Sequence, residues 1–185
     1  MHPVVKIAIF VIFTAVITFI SYRSLINFRS HGFYRFFAWE FILILFLLNV
    51  DFWFVAPFSL IQIISWIFLF SSAYCVIEGY RLLRIKGNSD EKRPEKHLHK
   101  IEKTTHLVTD GIYHFIRHPL YASLLFLAWG IFCKSVSFMT FILVLGSSIF
   151  LFLTARIEEK ENHDYFGEAY RIYMQRTKMF VPFVW

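Results

Sequence analysis

The sequence predicts an all-α integral membrane protein with five transmembrane helices. Of its 185 residues, 57% are hydrophobic and 17% are charged, whereas soluble domains average roughly 45–50% and roughly 25%. The chain also contains 24 Phe and 5 Trp, which is more apolar aromatic surface than a soluble core of this length can bury. The apolar residues fall into five runs separated by polar segments, and a chain of this length suits a single membrane domain of residues 1–185.

Residues 1–80 contain the first three predicted spans. The runs cover residues 4–21, 36–57 and 59–80. Each is close to the roughly 20 residues that cross a bilayer as a helix. Glu40 and Asp51 lie near the ends of the second run, where a carboxylate can reach interfacial water or a neighbouring helix. We therefore interpret both as interfacial or helix–helix groups.

Residues 81–118 are predicted to form a basic cytoplasmic loop that leads into a polar motif. Eight Lys and Arg residues lie between positions 81 and 106, and the whole chain has a net charge of +6. A basic chain is compatible with nucleic-acid binding, but here the charge borders apolar spans. Its position favours a role in membrane topology, so we expect membrane lipid and no nucleic acid as a partner.

Residues 119–155 are predicted to form a helical hairpin, and residues 156–185 a polar cytoplasmic tail. The hairpin consists of a short run, 120–133, and a full-length run, 136–155. Basic residues cluster before the second span, before the motif and in the tail. Five spans put all three clusters on one side of the membrane, with the N-terminus outside and the C-terminus in the cytoplasm.

A metal site is not expected. Cys75 and Cys133 lie in or beside apolar runs, which suits small buried residues. His114 and His118 are four residues apart, but Pro119 disfavours a helix through residue 118. No third ligand is evident, and a credible metal site depends on ligand number and geometry.

Two polar clusters at the ends of the hairpin are the candidates for chemistry. The first covers residues 106–121, where Pro119 suits the first turn of a new helix. The second covers residues 156–159, where helical continuation puts Arg156 beside Glu159. Because a hairpin returns to the membrane face it left, both clusters should share one face. A pocket between them would suit a polar cofactor and a lipidic substrate.

Four sequence elements in this region match a known family in order and spacing. They are His-Leu-Val-Thr-Asp-Gly-Ile-Tyr at 106–113, Arg-His-Pro-Leu-Tyr at 117–121, Arg-Ile-Glu-Glu at 156–159 and Phe-Gly-Glu-Ala-Tyr-Arg-Ile-Tyr at 166–173. With these elements the chain resembles the isoprenylcysteine carboxyl methyltransferase family, within the wider group that includes the phospholipid N-methyltransferases. The resemblance covers roughly residues 98–183, and the first three spans match only in being apolar.

The resemblance implies S-adenosylmethionine as cofactor, bound at the cytoplasmic face. The implied cofactor-binding residues are Thr105, His106, Leu107, Val108, Tyr113, His118, Pro119, Leu120, Tyr121 and Glu158. Their chemistry suits the ligand. Glu158 or Glu159 can accept hydrogen bonds from a ribose diol or pair with an ammonium, and backbone N–H groups near Pro119 can take a carboxylate. Tyr113 and Tyr121 can pack on adenine or face a sulfonium.

The resemblance also implies a lipidic or prenylated methyl acceptor, with Arg156 and Glu159 as the catalytic residues. Methyl transfer depends largely on positioning. A carboxylate acceptor needs no general base, and Arg156 would orient it through a bidentate contact. An amine acceptor, as in a phospholipid, needs a base such as Glu159 or His118.

Several alternatives stay open from the sequence alone. The chain could be a non-catalytic transporter or assembly factor, although a transporter should carry polar residues at mid-span in several helices. Arg117 is compatible with a simple interfacial anchor. Tyr170 and Tyr173 are compatible with interfacial packing.

Overall fold

The computed structural model describes residues 1–87 and 105–182. Within these ranges all regular structure is helical, apart from one isolated bridge between backbone segments. The six helices are α1 (Pro3–Leu25), α2 (His31–Asn49), α3 (Leu60–Lys86), α4 (Pro119–Phe132), α5 (Phe138–Phe166) and α6 (Glu168–Arg176). Two short 3-10 turns cover Val50–Phe52 and Gly111–His114. The predicted all-helical class is confirmed for the described residues.

Four of these helices are long and apolar enough to cross a membrane, namely α1, α2 with its 3-10 extension, α3 and α5. This fits an integral membrane protein. Helix α4 has 14 residues, or ~21 Å at 1.5 Å per residue, which is less than the ~30 Å hydrocarbon core. It begins at Pro119, as the sequence predicts, because proline's fixed φ and missing N–H suit a first helical position.

The short helix α4 ends inside the bundle because other helices satisfy its last carbonyl groups. Asn49 of α2 donates a hydrogen bond to the Ile131 carbonyl at 2.7 Å, and Ser65 of α3 donates to the Gly130 carbonyl at 2.6 Å. Gln62 donates to the carbonyl of Lys134 at 3.0 Å. The last carbonyls of a helix lack intrahelical partners and are costly to bury alone. Asn49 and Ser65 therefore allow α4 to stop short, and Gln62 binds the segment that follows it.

The carboxylates of the second span make helix–helix contacts, as the sequence suggests. Glu40 accepts a hydrogen bond from the Thr14 hydroxyl of α1 at 2.8 Å. Asp51 pairs with the N-terminal amino group at 2.5 Å and with Lys6 at 2.7 Å. Helix α1 packs mainly against α2, and these contacts link the two helices along their length.

The predicted loop at 81–118 begins later than the sequence analysis placed it. Helix α3 continues to Lys86, so Arg81 and Arg84 are helical. Leucine and arginine are good helix formers, and basic residues in a last turn are favoured by the helix dipole. The rest of the predicted basic loop, 88–104, lies outside the described residues. The longer helix brings Lys86 within 2.5 Å of Asp110 in the motif.

The end of the chain pairs with the motif through backbone hydrogen bonds. Lys178 N–H donates to the Phe115 carbonyl at 2.9 Å, and Arg117 N–H donates to the Lys178 carbonyl at 2.8 Å. His118 N–H donates to the Met179 carbonyl at 3.2 Å. This parallel contact fixes residues 115–118 against the segment that follows α6.

Candidate active site

A cavity of about 460 Å³ is lined by residues from all six helices, and its volume is within the usual range of small-molecule sites. Eight of the ten predicted cofactor-binding residues line it: Leu107, Val108, Tyr113, His118, Pro119, Leu120, Tyr121 and Glu158. A second, more open groove of about 680 Å³ lies elsewhere and is lined by none of the predicted site residues. The predicted residues therefore converge on one cavity.

Glu158 enters the cavity from α5 and meets the start of α4. The Tyr121 hydroxyl donates a hydrogen bond to its carboxylate. The His118 ring stacks on the Tyr121 ring, with centroids 5.5 Å apart, and its Nδ1 lies 3.7 Å from Glu158 Oε1. Because Pro119 starts α4, His118 and Tyr121 lie one helical turn apart on the side that faces α5. The cavity thus has one carboxylate beside an imidazole and a phenol.

Glu159 lies behind the cavity wall and is held by Arg117. The Arg117 Nε donates to Glu159 Oε1 at 2.7 Å, and its Nη1 donates to the carbonyls of Met174 and Thr177. The two side chains are 9% and 4% exposed. His118 Nε2 lies 3.5 Å from the same Glu159 oxygen, but that buried nitrogen makes no hydrogen bond.

The structure places Arg117 in the interior rather than at the interface. It lines the cavity and joins the motif to α5 and to the end of α6. The interfacial-anchor interpretation is therefore wrong. Its position directly before His118 in the motif was the one sequence signal that pointed to this role.

Four predicted site residues do not line the cavity. The backbone N–H groups of Thr105 and His106 donate to the Gly87 carbonyl, at 3.2 and 3.4 Å, at the end of α3. Arg156 is 60% exposed at its side chain, and its Nη1 lies 3.9 Å from Glu159 Oε2. Glu159 is buried behind the wall. The geometry gives Arg156 no contact with the cavity.

Buried tyrosines form the side of the cavity that faces α6. The Tyr173 hydroxyl donates to the Tyr113 carbonyl at 2.7 Å, and the Tyr113 hydroxyl donates to the Gly79 carbonyl at 3.4 Å. Burial, reinforced by Glu158, raises the pKa of Tyr113 and of Tyr170. These phenols stay protonated near neutral pH. Tyr170 and Tyr173 are both buried, and both line the cavity.

Helix α3 reaches the cavity because Gly79 allows a close approach to α4. A Cβ atom at Gly79 would lie 3.1 Å from Pro119 Cγ, tighter than ordinary van der Waals contact. Tyr80 and Leu83 consequently join the lining.

The motif is also bound to the end of α3 by an ion pair between Asp110 and Lys86. This ion pair lowers the pKa of Asp110.

The first two helices contribute lining residues that the sequence analysis did not identify. They are Ile20 of α1 and Arg35 and Trp39 of α2. The guanidinium carbon of Arg35 lies 5.0 Å from the Trp39 ring centroid. The only sequence signal was an arginine at the start of an apolar run, which the positive-inside rule accounts for equally well.

Within the described parts of the chain, no group of three or more His, Cys, Asp or Glu residues is arranged to hold a metal ion. The fold is that of a helical integral membrane protein, and a cavity of the size of a small-molecule site lies at one end of its helices.

Comparison with known proteins narrows this class. Residues 60–169 match the family model described as phospholipid methyltransferase. That match covers more than half of the chain, and the chain belongs to this family of membrane methyltransferases. The resemblance drawn from the four motifs is thereby confirmed.

Curated relatives support the same class. The chain is 36% identical over 97 residues to protein-S-isoprenylcysteine O-methyltransferase B of Arabidopsis thaliana, covering 48% of this chain and 46% of the relative. It is 27% identical over 128 residues to methanethiol S-methyltransferase 1 of Bradyrhizobium diazoefficiens, covering 64% and 39%. It is 30% identical over 107 residues to methanethiol S-methyltransferase of Pseudomonas deceptionensis, covering 58% and 38%.

The matched regions span less than half the length of each of these relatives. No solved structure matches the chain.

Proposed function

We propose that this protein is an S-adenosylmethionine-dependent methyltransferase that acts on a lipidic acceptor at the membrane, by preference on a carboxylate. The observation that carries the proposal is the convergence of eight predicted cofactor residues on one cavity. Seven of these residues lie in the polar motif, between positions 107 and 121, and Glu158 comes from α5, 37 positions beyond Tyr121.

The residues of the cavity fit this cofactor chemically. Glu158 can accept hydrogen bonds from a ribose diol or pair with the amino group of the methionine moiety. The His118 Nε2 faces Glu159 at 3.5 Å, so the ring presents its Nδ1 edge, beside Glu158, to a polar atom of the ligand. The first turn of α4 leaves the Leu120 N–H without an intrahelical partner, which suits a carboxylate. Tyr113 and Tyr170 offer aromatic faces for adenine or a sulfonium.

When bound, the cofactor supplies an electrophilic methyl group whose bond to sulfur breaks as the acceptor atom forms its bond to carbon. The protein's part in this reaction is to position the reactants and exclude water. The Glu159 carboxylate is paired with Arg117, so we assign Glu159 a positioning role rather than that of a general base. Arg156 is exposed and paired with Glu159, and we no longer assign it to acceptor orientation. A carboxylate acceptor requires no base.

One side of the same cavity is apolar and can hold the apolar part of a lipidic acceptor. Ile20 and Trp39 line it from the first two helices, and Leu124 lines it from α4. Helix α1 packs on α2, and α3 packs on α4; all four contribute residues to the lining. By the positive-inside rule, we place this end of the helices, and with it the active site, in the cytoplasm.

Thiol methylation is the second candidate function. Two of the relatives described above are named methanethiol S-methyltransferases. A thiolate, like a carboxylate, is an anion that needs no further deprotonation. N-methylation of a lipid amine is a third possible reaction, and the labelling test below distinguishes it from ester and thioether formation.

The test incubates purified protein with methyl-labelled S-adenosylmethionine and a membrane extract. Base-labile label indicates an ester, volatile thioether label indicates S-methylation, and stable label in lipid indicates N-methylation. We expect the ester. Absence of label in all three fractions overturns the proposed function.

A binding experiment tests the cavity itself. Glu158→Gln should weaken cofactor binding measured by calorimetry by about tenfold or more, since a hydrogen bond to a charged group is worth about 1.5–3 kcal/mol. The matched control is Glu168→Gln on α6, because Glu168 is exposed, pairs with Arg171 at 3.0 Å and does not line the cavity. Equal affinities of the two variants would remove Glu158 from the site.

A further inference from the structure

Helix α2 brings a buried cation to the cavity. Arg35 is 4% exposed and lies in the second turn of a helix that enters the membrane. A cation in such a position is costly and usually has a functional or pairing role. It lines the cavity together with Glu158 of α5.

The surrounding contacts hold this side chain toward the interior. His31, Arg35 and Trp39 are spaced four residues apart and therefore lie along one face of α2. At the start of that face, His31 Nδ1 lies 2.6 Å from Glu161 Oε2, and the His31 N–H donates to the other Glu161 oxygen at 3.3 Å. The guanidinium of Arg35 lies over the Trp39 ring. Helix α2 is thus fixed against α5 in the register that points Arg35 into the cavity.

The other arginines near the site lie in different places. Arg117 is held by Glu159 and by two backbone carbonyls near the end of α6, on the side of the cavity formed by the motif, and Arg156 is largely exposed and outside the lining. Arg35 instead reaches the cavity beside its apolar residues, Ile20 and Trp39. A planar guanidinium next to an apolar wall matches a molecule with an anionic end and an apolar body.

We infer that Arg35 binds the anionic group of the methyl acceptor, while Ile20 and Trp39 contact its apolar part. This inference rests on the proposed function and specifies its acceptor. It selects acceptors whose reacting end is a carboxylate or thiolate over amines, because a fixed cation attracts an anion and repels an ammonium. In this proposal, the arginine that binds the methyl acceptor is Arg35 of α2 and not Arg156 of α5.

The experiment measures acceptor binding separately from methyl transfer. The probes are N-acetyl-S-farnesylcysteine, which has a free carboxylate, and its carboxamide, which has the same apolar body without the charge. Binding of each is measured without cofactor, and cofactor affinity is measured in parallel by calorimetry. The variants are Arg35→Met, Arg35→Lys and Arg156→Met. Arg23→Met is the matched control, because Arg23 is an exposed residue in the last turn of α1 and does not line the cavity.

We expect the unaltered protein to bind the carboxylate about ten- to a hundredfold more tightly than the carboxamide, the range expected for charge-assisted hydrogen bonds. Arg35→Met should abolish this preference, and Arg35→Lys should keep part of it. Arg156→Met and Arg23→Met should keep the full preference. Cofactor affinity should stay within about twofold in both Arg35 variants, since the change lies on the acceptor side.

Several results overturn the inference. They are equal binding of the two probes by the unaltered protein, an unchanged carboxylate preference in Arg35→Met, and a loss of cofactor affinity in that variant. Methyl transfer to phosphatidylethanolamine but not to the farnesylcysteine would overturn it and leave the methyltransferase proposal standing. Failure of the unaltered protein to bind S-adenosylmethionine would instead overturn the proposed function. If Arg35→Met does not fold, Arg35→Lys and the two-probe comparison on the unaltered protein still decide the question.

Discussion

Arg117 and Glu159 form a buried ion pair that joins the polar motif to α5. Arg117 Nε lies 2.7 Å from Glu159 Oε1, although the residues are 42 positions apart in the chain. The same guanidinium donates to the Met174 and Thr177 carbonyls near the end of α6. One side chain therefore holds together three segments that surround the cavity.

Removing this arginine should be strongly destabilising. Arg117→Met leaves the Glu159 carboxylate buried without its cation, and breaking a buried pair in this way costs about 3–5 kcal/mol. Arg171→Met is the matched control, because Arg171 pairs with Glu168 at 3.0 Å on the exposed surface of α6, and exposed pairs contribute about 0–1 kcal/mol. Unfolding in mixed detergent micelles, followed by circular dichroism, measures both. Similar losses in the two variants would contradict a structural role for the Arg117 pair.

The turn at Gly111, inside the polar motif, should be sensitive to an added methyl group. Its φ is +57°, and a Cβ atom would lie 2.7 Å from Leu82 Cδ1. Gly111→Ala therefore combines backbone strain with a steric conflict. The conflict should be relieved by Leu82→Ala, so the double variant should be more stable than additivity predicts, by about 1 kcal/mol.

Gly167 provides the control for that experiment. Its φ is +60°, but no atom lies within 4 Å of a Cβ placed there. The effects of Gly167→Ala and Leu82→Ala on the free energy of unfolding should therefore add. A coupling as large as that of Gly111 would show that the Gly111 result does not arise from its contact with Leu82.

Lys134 should stabilise the end of α4 that lies far from the cavity. Its Nζ lies 3.6 Å from the Trp66 ring centroid and 3.1 Å from Gln62 Oε1, and the residue is buried. A desolvated cation–π contact is worth about 2 kcal/mol, so Lys134→Met should lower the free energy of unfolding by about that amount. Cofactor affinity should not change, because His118 lies at the opposite end of α4.

The Trp66→Leu variant separates this contact from general packing. Because both substitutions remove the same cation–π contact, their combined cost should be smaller than the sum of the two single costs. Strict additivity would mean that Lys134 and Trp66 contribute independently.

The predicted topology can be tested with single cysteines. In a background with Cys75 and Cys133 replaced by alanine, the sites are Asn27→Cys, Val55→Cys and Val136→Cys, all exposed positions. Five crossings with the N-terminus outside predict that a membrane-impermeant maleimide labels the last two on intact cells. Asn27→Cys should react only after permeabilisation. Labelling of Val136→Cys from the same side as Asn27→Cys would show that the short helix α4 does not cross.

Much of the fold follows from local pattern. The apolar runs predict the helices, and Pro119 predicts where α4 begins, because proline's effect on its own backbone does not depend on the rest of the chain. The end of α3 was placed too early, since charged residues at 81–86 resemble a loop while their helix propensity and the contact of Lys86 with Asp110 favour a helix.

The residues on the proposed cofactor side of the cavity could also be predicted from the sequence. His118, Tyr121 and Glu158 belong to motifs that resemble a known family, and the hairpin brings those motifs to one face. The motifs alone could not distinguish the roles of neighbouring charged residues. Both Arg117 and Arg156 lie in polar motifs, and the sequence does not show that Arg117 is buried whereas Arg156 is exposed.

By itself, the sequence of this protein determined a helical membrane chain with a family-specific polar motif, because hydrophobic periodicity, proline and short motifs act over a few residues. Tertiary structure decided which arginine Glu159 binds, and it decided that Arg35 and Trp39 of α2 share a cavity with Glu158 of α5. Those relationships depend on how distant helices pack and on which charges are removed from water. A local sequence pattern predicts neither the packing of distant helices nor the burial of particular charges.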